Sequence, residues 1–112
     1  MKSIHLGKKK IVELTINDVE YIAALDNYAI DHFQKHNKKG FLSALEDVKK
    51  DNISVLIQLL GSIIREKKNG RILGANYLKQ FDTFDIISNL APLLTEIFPD
   101  NLPEASNESE KK

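Results

Sequence analysis

Cysteine and tryptophan are absent from the 112 residues, and there are only three prolines and five glycines. Without cysteine there is no disulfide, no thiolate metal site and no thiol nucleophile, which is compatible with a reducing compartment. An excess of one charge is missing too. Sixteen Lys+Arg balance sixteen Asp+Glu across both halves of the chain, which removes the electrostatic argument for nucleic-acid binding. No apolar run approaches the roughly 18 residues that cross a bilayer. Met1-Lys2-Ser3-Ile4-His5-Leu6 leads into Lys8-Lys9-Lys10 rather than an apolar segment, so neither a membrane span nor a signal peptide is expected. What is present, 42% hydrophobic and 29% charged residues, suits one ordinary globular core.

Alternation opens the chain. Ile4 and Leu6 alternate with Ser3 and His5, and Val12, Leu14 and Ile16 with Glu13 and Thr15, the period of half-buried strands. The simplest reading is a hairpin over residues 1–16 with Lys8-Lys9-Lys10 as its loop. A lone hairpin is marginal in water, so its apolar face must rest on helices or on a partner. Asn17-Asp18-Val19-Glu20 then reads as a capping-box variant that starts a helix running to about Gln34. Phe41, Ala44, Leu45 and Val48 predict a second, short helix. Ala75 to Phe81 predict one or two helical turns. Asp82 or Thr83 caps a last helix through Ile86, Ile87, Leu90, Leu94 and Ile97, with Pro92 breaking it near Asn89 to Ala91. The expected fold is mainly α within the α+β class: an N-terminal hairpin (1–16), four or five helices packed as a small bundle sharing its core (17–98), and a polar, aperiodic, disordered tail (99–112).

The third helix carries the strongest pattern. Asp51 or Asn52 caps it, and Ile53, Leu56, Ile57, Leu60, Ile63 and Ile64 form one stripe. Val55 and Leu59 fall off that stripe, so the helix is apolar around most of its girth and is either central or covered on its second side by a partner. Gly61 in its middle implies close approach of another backbone. Val55, Leu59 and Gly61 are therefore the candidate partner-binding residues.

Candidate catalytic constellations dissolve one by one. His32 and His36 share a helix face at ligand spacing, but only Asp31 is near and zinc sites use three or four ligands. Asp82 and Asp85 have no companion base or nucleophile and read as caps. Gly70-Arg71-Ile72-Leu73-Gly74 lacks the lysine and hydroxyl of a phosphate loop. The lysine pairs fall at loops and helix ends without interleaved aromatics. No enzyme activity, cofactor or metal is expected. Apolar surface in excess of what so small a domain buries points to a protein partner.

The basic hairpin Lys2 to Ile16, the segment Asn17-Asp18-Val19-Glu20, the apolar helix Ile53 to Arg65, the run Tyr77-Leu78-Lys79-Gln80-Phe81-Asp82-Thr83-Phe84-Asp85-Ile86-Ile87 and the polar acidic tail together resemble the tail assembly chaperones of long-tailed phages and prophages of Gram-positive bacteria. The resemblance spans roughly residues 1 to 103 and rests on apolar and acidic patterning. It implies a mainly helical cytoplasmic factor, absent from the mature virion, that binds the tape-measure protein and helps tail-tube protein polymerise around it. Homo-oligomers are compatible with it. The family has no catalytic motif to carry over. The competing expectations are a small helical DNA-binding or regulatory protein, which would need a recognition helix rich in basic and amide side chains, and a head-tail connector part of the virion.

Overall fold

In the computed structural model, which describes residues 1–98, three antiparallel strands and a set of short helices share one apolar core. The strands are β1 (Ile11–Ile16), β2 (Val19–Ala24) and β3 (Ile64–Glu66), in the order β1-β2-β3. The helices are α1 (Asn27–Lys35), α2 (Phe41–Lys49), α3 (Ile53–Ile63), α4 (Ala75–Leu78), α5 (Thr83–Leu90) and α6 (Pro92–Ile97). The α+β class, the leading hairpin and the helical remainder are as expected from the sequence. The tail expected over 99–112 lies outside the described residues.

The hairpin itself sits further along the chain than the expected 1–16. Residues 1–10 carry no regular structure and are exposed throughout, and β1 pairs with β2 from Ile11↔Ala24 to Ile16↔Val19. The turn is Asn17-Asp18, both in the left-handed region at φ of 49° and 70°. Two consecutive positive φ values define the two-residue turn whose twist matches a hairpin, and Asn and Asp are the non-glycine residues that adopt them most cheaply. The residues read as a helix cap are thus a hairpin turn. Asx side chains favour both settings, and the pairing of β2 with both β1 and β3 decides for a strand. The true cap of α1 is Asp26, whose Oδ1 accepts the Ala29 amide at 3.0 Å.

Elsewhere the local rules hold. Asn52 caps α3 through Val55 N at 3.2 Å, and Asp82 caps α5 through Asp85 N at 3.1 Å. Pro92 opens α6 at the break after Leu90, where its missing N–H costs nothing. The unforeseen strand is β3. Helix α3 ends as Ile64 turns extended (φ −98°, ψ 130°), and Ile64 to Glu66 pair with Ala23 to Tyr21. No period of two can announce a strand of three residues that begins where an apolar helix ends.

Helix α3 is the centre of the molecule. One side, with Leu56, Ile57, Leu60 and Ile63, packs in the main core with Tyr21, Ala23, Leu78, Ile86, Leu90, Leu93 and Ile97. The other side, through Leu59, packs with Phe33, Phe41, Ala44 and Leu45 of α1 and α2. Asp26 also accepts from Arg65 Nη2 at 2.8 Å, tying the start of α1 to β3, while the Arg65 guanidinium carbon lies 5.1 Å from the centre of the Tyr28 ring.

Candidate functional site

The second side of α3 is largely covered by this chain itself. Leu59 is fully buried, because α1 and α2 fold over it and supply the cover that was expected from another protein. Gly61 is buried as well. Its carbonyl accepts the Gly74 amide at 2.9 Å, so the close neighbour that a mid-helix glycine implies is the strand-to-helix connection of the same chain. Val55 is half-buried at the edge of the second cluster and lines a shallow surface hollow with Asn37, Asp47 and Gln58. Of the three candidates, only Val55 reaches the surface.

Two larger clefts remain. The first, about 460 Å³, lies between α1, α3 and the connection before α4, and is lined by His32, His36, Gln58, Ser62, Gly74 and Lys79 among others. The two imidazoles stack with centroids 4.3 Å apart. Ser62 Oγ lies 3.0 Å from the Gln58 carbonyl, to which it donates, and 3.1 Å from His32 Nδ1. His36 Nδ1 donates to the His32 carbonyl at 2.9 Å. Burial, then the neighbouring His36, depresses the His32 pKa, so its neutral form is favoured. Asp31 pairs with Lys35 at 3.1 Å, and among the described residues no group of three or more His, Cys, Asp or Glu could hold a metal ion. In this cleft His36 is held by a backbone carbonyl and His32 lies beside the Ser62 hydroxyl.

The second cleft, about 390 Å³, opens between the hairpin tip and helices α4 and α5. Leu78, Phe81, Ile86 and Leu90 form an apolar floor with Ile16, and Thr15, Asn17, Asp85 and Asn89 form the rim. Leu78 and Ile86 are nearly fully buried, whereas Ile16 and Phe81 are only half-covered. Phe84, on the first turn of α5, is 79% exposed, which extends the apolar character of this end beyond the groove. The sequence signal for it is Phe84, which lies across the helix from the inward residues Ile86 and Leu90. Among the described residues no helix is long and apolar enough to cross a membrane. Compared with known protein families, with characterised proteins and with solved structures, the chain matches none.

Proposed function

We propose that the chain is a binding protein without catalytic chemistry of its own, which covers an apolar helical segment of a partner during assembly. The partner suggested by the sequence resemblance is the tape-measure protein of a phage tail, with the tail-tube protein polymerising around the complex. On this reading the protein works in the bacterial cytoplasm and leaves before the virion is complete. The observation that carries the reading is the groove between the hairpin and α5, with its apolar floor and its neutral or acidic rim. Such a groove accepts side chains at helical spacing from an amphipathic helix, and the polar rim orients without demanding one small ligand.

The test is co-expression with a phage tape-measure protein, followed by pull-down, in the native chain and in Asn89→Arg. Asn89 is exposed on the groove rim, so the variant should fold normally and lose the partner. Co-purification of nucleic acid instead, lost on raising salt, would favour the regulator reading. Finding the protein in purified particles would favour the connector.

A further inference from the structure

The β1 strand has an open edge. In a two-residue hairpin the residues flanking the turn form a hydrogen-bonded pair, so Ile16, Leu14 and Val12 bond to β2, and the backbone groups of Ile11, Glu13 and Thr15 point the other way. The Glu20 carbonyl, which accepts from Lys67 on the β3 side at 3.2 Å, agrees with that parity. Among the described residues nothing pairs with the outward groups of β1. Proteins usually blunt such an edge with lysine, proline or a bulge. Here Ile-Val-Glu-Leu-Thr-Ile has neither lysine nor proline, and its inner face continues into the apolar groove through Ile16.

The same chain holds an unused strand. Residues 1–10 are exposed throughout, with Ile4 at 70% and Leu6 at 89%, yet they carry the alternation of a strand whose apolar side chains fall on one face. They also carry Lys2, Lys8, Lys9 and Lys10 and no acidic residue. The turn and the groove beside the edge carry Asp18 and Asp85, and the edge carries Glu13, which also pairs with Lys67 at 3.4 Å. Charge and alternation are therefore complementary between the arm and the edge.

The arm is directed away from its own edge. Lys9 Nζ donates to Asp26 Oδ2 at 3.4 Å, on the β2 side of β1. Lys9 stands two residues before Ile11 as Asp26 stands two after Ala24, so the contact extends the register of the ladder past the end of the sheet. A chain held on that line runs past the end of the sheet and leaves the β1 edge uncovered.

We propose that the N-terminal arm of one copy adds as a strand to the free β1 edge of a second copy, placing Ile4 and Leu6 against the groove floor. This goes beyond the partner reading above and does not depend on it; both occupants use the same groove floor, so arm and partner helix would displace one another there. Each chain offers one arm and one edge, so the contact is head-to-tail and builds a ring or an open chain of copies. Backbone hydrogen bonds supply the affinity and the two apolar side chains the register.

The experiment is sedimentation velocity across a concentration series, with no other protein present. The full chain should associate as concentration rises. A chain lacking residues 1–9, full-length I4D/L6D, and Thr15→Pro should each sediment as the monomer. Thr15 lends its N–H to the free edge, so proline there spares the β2 ladder. Mixing the armless chain with Thr15→Pro should give a one-to-one complex, because one retains the edge and the other the arm. Circular dichroism melts establish that each variant is folded. Should Thr15→Pro fail to fold, a synthetic peptide of residues 1–10 takes its place, and it should bind the armless chain at least tenfold more tightly than the same peptide with Ile4 and Leu6 changed to Asp. A full chain that stays monomeric, an armless chain that associates as the full chain does, or a peptide insensitive to those two changes overturns the proposal.

Discussion

A β-carbon placed on Gly61 would stand 2.6 Å from the backbone nitrogen of Ala75, closer than real side chains approach a neighbouring backbone. Helix α3 and the start of α4 are thus in backbone contact, and the Gly61 carbonyl bonds the Gly74 amide across the same gap. Alanine is normally preferred over glycine in a helix by up to about 1 kcal/mol. Here the clash is with backbone rather than a flexible side chain, so Gly61→Ala is expected to destabilise by about 1–3 kcal/mol. Urea unfolding decides it; a stabilised variant would show that α4 yields easily.

Leu59 and Leu60 have the same burial although they point into different clusters. Leu59→Ala and Leu60→Ala should each cost about 2–5 kcal/mol, and either aspartate substitution should abolish folding. Val55→Ala, at a half-buried edge, should cost much less. Thermal melts of the three alanine variants test the ranking, and a well-folded Leu59→Asp chain would restore that face as a surface.

The hairpin turn gives a prediction of opposite sign. Asn-Gly is the pair that best suits two positive φ values, so Asp18→Gly should hold or raise stability, by up to about 1 kcal/mol. Asn17→Val places a β-branched side chain at φ 49° and should cost about 1–2 kcal/mol or more. Chemical denaturation of the two variants should move the midpoint in opposite directions.

Acid should act in two stages. His32 is held below its ordinary value near 6.5 by burial and by His36, so its folded form resists the proton that the unfolded chain accepts. Stability is therefore complete above about pH 6.5 and starts to fall below it. Asp26 is the second stage. Burial alone would raise its pKa, but the Arg65 hydrogen bond, the Ala29 amide, the Arg65 charge and Lys9 together lower it from 3.8 to about 2. Its contribution is present above about pH 4 and disappears as pH falls toward 2. Arg65→Ala should cost about 1–3 kcal/mol at neutral pH by leaving a part-buried carboxylate without its cation. Stability measured from pH 8 to pH 2 should show both declines in the native chain, without the upper one in His32→Gln and with a smaller lower one in Arg65→Ala.

The elements that repeat over two or more turns were legible in the sequence by itself. The apolar stripes of α2, α3 and α5, the caps at Asn52 and Asp82, and the break at Pro92 depend on spacing and local hydrogen bonding, which sequence order fixes directly. Two things depended on what lies across the fold. Asn17-Asp18 satisfies the chemistry of a helix cap and of a hairpin turn equally, and only the pairing of β2 with both β1 and β3 makes the turn the answer. The second side of α3 was equally apolar whether its cover came from a partner or from this chain. Folding α1 and α2 over Leu59 settled that in favour of the core, and left the apolar excess instead at the hairpin edge and the groove beside α5. Periodicity says which faces must be covered; only tertiary packing determines which element covers them, since any apolar face of matching shape satisfies the same hydrophobic demand.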